Sequence, residues 1–417
     1  MLDVKYIIKN PEKIRKILEA RFMDTSLVDR FLLEYDKFKK IKIEVDKLRA
    51  EKNKINVNIA KYRKEKKDIK KLIENLKEVT EKIEKLEVEL KSTEENINKL
   101  LYNFPNLLLE DVPIGGEEDF KIIRQFGETK KITKHHQDIL PSSLLDTKKA
   151  SEVSGSRFFY LKGKLAELNL ALQKFALDKL VEKGYIAIIP PYMIKRKPYE
   201  GVVSFEAFED ALYKIEKEDL YLIATSEHSI AALHMDEILN EKDLPLKYVG
   251  ISPCFRKEAG AHGKDTKGIF RIHQFNKIEQ FIFCKPEESK ILHEEIISNA
   301  EEIIKALEIP YRVIILASGD TSKVSAKTYD IQAWFPGQNK YREIVSASNC
   351  LDFQARRLKI RYYKNGNRIF VHTLNSTALA IERTLACLVE NFYDENKNVI
   401  KIPKALWPYL RFKEIEL

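Results

Sequence analysis

The chain has 417 residues, of which 33% are charged, and a formal net charge of +9. That length suits two or three domains with at least one substantial core, and the lysine-rich excess suits a polyanionic partner. No run reaches the ~20 apolar residues that span a bilayer and no signal peptide is expected, while four scattered cysteines without a CxxC pair point to reduced cytosolic thiols rather than disulfides or zinc.

The first quarter carries a coiled-coil pattern. Phe38, Val45 and Ile59 hold one heptad position and Ile41, Leu48, Ile55 and Tyr62 the other, with Lys52 as the polar exception. Beyond a charged break, Ile69, Leu76, Ile83, Leu90, Ile97 and Phe104 recur every seven residues, interleaved with Leu72, Val79, Leu86, Thr93 and Leu100. Two seams of similar length joined by a short turn predict an antiparallel helical hairpin over about residues 30–104. At 1.5 Å per residue each arm measures roughly 50 Å. The turn, 61–70, carries six basic residues against two acidic ones. A solvated tip is the plain reading of such a charge run; the functional one is a finger that follows a nucleic-acid backbone.

Phe104-Pro105-Asn106 closes a first domain, 1–106. Residues 107–132, with Pro113 and Gly115-Gly116, read as a linker, and a second domain occupies 133–417. An amphipathic helix is expected from about Ala166 to Lys183, closed by Gly184, followed by a short buried strand at 185–189 that Pro190 ends. Next, an apolar strand at Leu222 runs into Thr225-Ser226-Glu227 before a helix from Ile230 to Leu239. A helix cap with an acidic first turn accounts for that cluster without any ligand.

Cys254 to Phe283 reads as two strands around a glycine- and charge-rich loop, Ala259 to Gly268. Alternation places Arg256 with Glu258 on one face of the first strand, and Arg271, His273, Phe275, Lys277 and Glu279 on one face of the second. An arginine, two glutamates and a ring on one face can hold a phosphate, a cation and a flat base; a solvated hairpin with surface ion pairs is the alternative. A further hairpin spans Tyr329 to Ser346 around Pro336–Asn339. On its second strand Glu343 and Ser346 face opposite ways unless a bulge intervenes. Ile369 to Asn375 is read as a strand feeding a helix that starts near Ser376-Thr377 and carries Arg383, with Thr377 by default its cap.

Phe255-Arg256-Lys257-Glu258 resembles the Phe-Arg-x-Glu of motif 2 in class II aminoacyl-tRNA synthetases. Lys257 to Gly260, the run from Asp265 to Phe275 and Lys277 to Phe281 narrow the resemblance to the seryl-tRNA synthetase family, in its common form without zinc. The helix–Gly184–strand–Pro190 run is similar to motif 1, and the strand and helix carrying Arg383 to motif 3. The resemblance implies an α+β fold: an antiparallel two-helix arm, then a catalytic domain with a central antiparallel sheet flanked by helices. It implies ATP-dependent attachment of serine to tRNA(Ser) through a seryl-adenylate, admits tRNA(Sec) as a further substrate, and implies a cytoplasmic homodimer joined through the catalytic domain.

The resemblance also implies roles. ATP is expected against Arg256, Lys257, Glu258, Arg271, Ile272, Phe275, Glu343, Ile344, Val345, Ser346 and Arg383, with Mg²⁺ at Glu343 and Ser346. Serine is expected against Thr225, Ser226, Glu227, Arg256, Glu279, Asn375 and Thr377. Arg256, Glu343 and Arg383 carry the catalytic roles. Lys61, Arg63, Lys64, Lys66, Lys67 and Lys70 of the arm tip, and His262, Lys264 and Lys267 of the loop, are expected to meet tRNA. The chain departs from the family where glycine is usual at the positions of Ser376 and Ala378, and where a small residue is usual at that of Glu382. A ligase that loads a carrier protein has no use for the basic arm, and a non-catalytic relative would be expected to lose Arg256, Glu279 or Arg383.

Overall fold

The seams of the first quarter close on each other in a computed structural model that describes residues 1–258, 265 and 267–417, with backbone alone at 206 and 207. Leu2–Pro105 forms one unit; Asn106–Leu417, with Met1, forms the other. In the first, α1 (Ser26–Lys64) and α2 (Lys70–Asn103) are antiparallel partners, of 39 and 34 residues. Ile55 and Ile59 of α1 are buried with Val79 and Ile83 of α2, and Leu48, Leu72 and Leu76 pack around them. Burial at a and d positions is what stabilises helices whose other faces are charged. Salt bridges Lys37–Glu89 and Arg49–Glu87 cross between the helices at 3.2 and 2.7 Å.

The second unit is built on eight strands: β1 (Lys121–Phe126), β2 (Ile186–Ile188), β3 (Leu246–Phe255), β4 (Gln274–Cys284), β5 (Tyr311–Ile315), β6 (Lys327–Phe335), β7 (Lys340–Asn349) and β8 (His372–Ala380). Their spatial order is β1-β5-β6-β7-β8-β4-β3-β2, antiparallel throughout except for β2 beside β3. Helices α3 (Lys164–Val181), α5 (Ser289–Ala306) and α6 (Ile381–Phe392) cover the sheet; the short α4 (Ser226–Ala231) sits near β3 and β4. Leu172 and Phe175 of α3, Ile296 and Ile303 of α5 and Leu385 and Leu388 of α6 share one apolar core with Val313, Ile331 and Ile282 of the strands. Gly184, at φ 85°, reverses the chain after α3 and lets Tyr185 N–H reach Leu180 O at 3.1 Å.

Several expected boundaries move. β3 stops at Phe255 and β4 starts at Gln274, so Arg256 to Glu258 and Phe270 to His273 are irregular rather than alternating strand residues. Glu258 sits at φ 52°, which no strand permits. The strand expected to be buried at 185–189 is an outer strand with one neighbour: Ile186 is 55% exposed and Ile189 69%. The helix expected from Ile230 to Leu239 is α4, which ends at Ala231, and Ile238–Leu239 is extended. Ser376 and Thr377 lie inside β8, and α6 begins only at Ile381. Pairing with β4 through Ala380 outweighs the capping preference of Thr377.

Candidate functional site

One end of the site is built where α4, β4 and β8 meet. Gly250 of β3 lies beneath α4, where a Cβ would stand 2.5 Å from Ser226 Oγ, so the strand and the helix approach as only glycine allows. Thr225 caps α4, its hydroxyl accepting from Glu227 N–H at 3.2 Å. Glu227 is thereby held on the first turn, where it accepts from Gln354 Nε2 at 3.0 Å and Asn375 Nδ2 at 3.1 Å. Thr377 on β8 stands opposite Glu279 on β4, and Lys277 Nζ lies 2.6 Å from the Glu279 carboxylate. All of these side chains but Gln354 and Ser226 line a cavity of about 300 Å³ together with Arg256, Phe275, Cys350, Glu343, Ser346 and Arg383. Ser226 is fully buried against Gly250 and lies outside that lining.

The charges are arranged to compete. Burial, then the neighbouring Glu279 charge, pushes the Glu227 carboxyl up to about 7. Burial also raises Glu279, opposed by the Lys277 ammonium. A cation placed here would relieve both carboxylates, and the Glu279–Thr377 pair offers a hydroxyl an acceptor and a donor.

A second, larger cavity lies along β6 and β7. Ile331 pairs with Val345 but Gln332 pairs with Glu343, so Ile344 is an extra residue in β7. That bulge turns Glu343 to the face of Ser346 and Ser348, toward Asp330 and Gln332, and all five line this adjoining cavity of about 610 Å³. Val345 points into the apolar core instead. Burial pushes Glu343 up, but Arg383 and Arg256 outweigh it and hold the carboxyl below its ordinary value. Arg383 Nη1 is 3.1 Å from Glu343 Oε2, although 45% of the Glu343 side chain remains open. Burial, then the Glu343 charge, lifts Asp330 well above the usual carboxylate range.

A narrow slot opens from these cavities between Arg256, Phe275, Ile272, Phe270 and Arg383, with Glu258 and Arg271 at its edge. The Arg256 guanidinium lies 5.1 Å from the Phe275 ring centre, and that of Arg383 lies 4.7 Å from Phe270. Arg271 donates to Glu258 at 2.7 Å. The Lys257 side chain lies over the Tyr213 ring, and the residue does not line the slot. Lys267 is exposed; His262 and Lys264 fall outside the described residues. Lys61, Arg63, Lys64, Lys66, Lys67 and Lys70 are all exposed at the α1–α2 turn.

Sequence reasoning passed over Asp330 and Lys277 as site residues. The signal for both was available: an ionisable residue inside an otherwise apolar buried strand calls for a partner. Among the described residues one group has metal-ligand composition, His135, His136 and Glu390. Both His136 ring nitrogens are already engaged, Nδ1 with Glu390 at 2.8 Å and Nε2 with the Ile269 N–H at 3.2 Å. The four cysteines are free and buried.

Comparison with known proteins gives matches along the chain. Residues 1–108 match the family described as seryl-tRNA synthetase N-terminal domain, and residues 209–392 the tRNA synthetase class II core domain (G, H, P, S and T). The serine–tRNA ligase of Thermoplasma volcanium is 45% identical over 100% of both chains. That of Thermococcus kodakarensis is 47% identical, over 100% of this chain and 97% of its own. The crystal structure of seryl-tRNA synthetase from Pyrococcus horikoshii complexed with ATP superposes with a TM-score of 0.95, at 46% identity, over 100% of this chain and 99% of that one.

Proposed function

The chain belongs to the seryl-tRNA synthetases and is a class II serine–tRNA ligase, and on that premise we propose how its residues carry out the reaction. Serine lies in the 300 Å³ cavity, its ammonium against Thr225 and Glu227, its hydroxyl between Glu279 and Thr377, and its carboxylate near Arg256. Asn375 orients Glu227. ATP lies along the bulged strand β7, its phosphates among Glu343, Ser346, Arg256 and Arg383 and its adenine in the slot by Phe275 and Ile272. Glu258, held by Arg271, faces the amino edge of the base. Lys257, Ile344 and Val345 support this wall through their backbone.

The serine carboxylate oxygen forms a bond to the α-phosphorus in line with the bridging oxygen, whose bond breaks as pyrophosphate leaves with the electron pair. The nucleophile is already anionic, so no general base is required. The α-phosphate gains charge at five-coordination, and Arg256, held by its stacking on Phe275, stabilises it. The donor set suits Mg²⁺: Glu343 and Ser346 present hard oxygens on one face, beside a buried Asp330 oxygen, Oδ1, without a hydrogen-bond partner among the described residues. Bound there, Mg²⁺ would offset phosphate charge.

In the second half-reaction a terminal ribose hydroxyl oxygen of tRNA(Ser) bonds to the seryl carbonyl carbon as the acyl–phosphate bond breaks. AMP leaves with the electron pair, and the hydroxyl proton passes to solvent. The basic tip of the α1–α2 arm holds the tRNA body by shape and charge, and His262, Lys264 and Lys267 meet its acceptor end. tRNA(Sec) is the further tRNA that this reading admits, and a charging assay with that transcript decides it. The enzyme works in the cytoplasm as a homodimer. For the homodimer, the support is that Leu170 on α3 and Ile186 and Ile189 at the outer strand are large apolar side chains left exposed.

The register of Thr377 with Glu279 inside the cavity that also holds Glu227 and Arg256 carries the assignment of serine. A pocket that must pair a hydroxyl rejects alanine, an effect of up to ~10⁴–10⁵. Pyrophosphate exchange across the twenty amino acids should respond to serine alone; equal exchange with alanine would overturn the pocket.

A further inference from the structure

Glu382 stands out in the sequence as a carboxylate where a small residue is usual, and its surroundings explain its presence. It is the second residue of α6, only 1% exposed, next to Arg383. Its Oε2 accepts from the backbone N–H of Asn276 at 2.7 Å, and its Oε1 from the Asn276 side chain at 2.9 Å and from Asn169 Nδ2 at 3.1 Å. All three neighbours are donors. The β4–β8 ladder ends with the pair Lys277–Ala380, one residue short of Asn276. Glu382 therefore extends the pairing of β4 beyond the last strand residue of β8, from a helix rather than a strand.

The consequence falls on the slot. Asn276 is flanked by Phe275, and Glu382 by Arg383, and Phe275 and Arg383 line the same slot. We propose that Glu382 is a positioning residue that ties the Phe275 wall to the Arg383 wall and so sets the width of the adenine slot. The inference rests on the reading that places adenine there. It concerns the base rather than the phosphates, because the groups Glu382 holds lie on β4 and α3, whereas Arg383, which also meets the phosphates, is held to the Glu343–Ser346 strand by its own ion pair with Glu343 at 3.1 Å.

Glu382→Gln tests it in the full-length protein. A carboxamide can accept through one oxygen only, so its NH₂ is left facing a donor. Inhibition of pyrophosphate exchange is measured with AMP, which carries the base, and with inorganic tripolyphosphate, which does not. The expected result is an AMP inhibition constant raised about tenfold with that of tripolyphosphate unchanged. An unchanged AMP constant, or an equal rise for both, overturns the proposal. A general loosening of the fold would move both. If the variant does not fold, Asn276→Ala keeps the backbone N–H and removes one donor; about a threefold rise for AMP alone is expected, and the same two contrary results overturn it. Phe275→Ala separates the two levels. An AMP constant that Phe275→Ala leaves unchanged refutes the placement of adenine itself. A rise there, with none in Glu382→Gln, refutes the role of Glu382 alone.

Discussion

Serine capture should fail on the acid side of neutrality, because Glu227 must be ionised to hold an ammonium. Its carboxyl is pushed up to about 7, first by burial and then by Glu279. The ordinary value is near 4.3, so the cavity moves this titration into the working range. For a folded-state value of 7, the ionised fraction is about 0.9 at pH 8 and about 0.1 at pH 6, and kcat/KM for serine follows that fraction of free enzyme. Pyrophosphate exchange at limiting serine should thus fall about tenfold from pH 8 to pH 6, while KM for ATP changes less. The sign is fixed by the raised value: activity is present above it and lost as pH falls through it. Glu279→Gln removes the second cause of the shift, so the midpoint should move toward acid while burial keeps it above the ordinary range. Glu227→Gln should abolish the step along with most of the serine response. A flat profile between pH 6 and 8 would refute the assignment of the ammonium to Glu227. A midpoint indifferent to Glu279→Gln would refute the coupling between the two carboxylates.

Glu279→Ala should abolish serine-dependent pyrophosphate exchange; near-normal exchange would remove it from the hydroxyl pocket. Deleting residues 36–100 should leave adenylate formation intact while tRNA charging collapses, and equal loss of both would make the arm structural. Reversing the charge at Lys64, Lys66 and Lys67 should weaken tRNA binding and flatten its salt dependence, by a slope change of about 0.7–0.9 for each phosphate no longer neutralised; an unchanged slope would place those lysines away from the backbone. Gly250→Ala should lower stability by about 1–3 kcal/mol, the usual cost of overpacking a core, because the new Cβ would meet Ser226 Oγ at 2.5 Å and Ile230 Cδ1 at 2.6 Å. Denaturant melts read that loss directly, and wild-type stability in the variant would contradict the close approach of α4 to β3.

The arm was legible because its signal is periodic and local. Heptad positions from Ile41 to Ile97 are read directly from the chain, and Ile55, Ile59, Val79 and Ile83 are buried together. The catalytic sheet was legible as hairpins but not as boundaries. Alternation of charge at Arg256–Glu258 and Arg271–His273 imitates strands, yet those residues are irregular, because the chain must leave the ladder to surround the slot. Thr377 imitated a helix cap for the converse reason. Its local capping preference is outweighed by pairing with Glu279, on a strand far away in sequence, which neighbouring residues do not signal.

The two bulges show where a stricter reading of the sequence succeeds and where it fails. In β7 the run Glu343-Ile344-Val345-Ser346 has two apolar residues between polar ones, and Ile344 and Val345 are both buried. In β8 Thr377 pairs with Glu279 and Leu379 with Ile278, leaving Ala378 as the extra residue. A strict strand cannot bury two successive side chains on one face, so the apolar doublet in the half-buried β7 signals its bulge, whereas β8 is buried almost throughout and its bulge shows only in the register. In each case residues i and i+3 then share the cavity, Glu343 with Ser346 and Thr377 with Ala380. Each bulge falls where its strand lines that cavity. The second bulge precedes the passage of β8 into α6, where Glu382 and Arg383 emerge beside the slot, which makes the bulge at Ala378 as much a part of the site as the side chains around it.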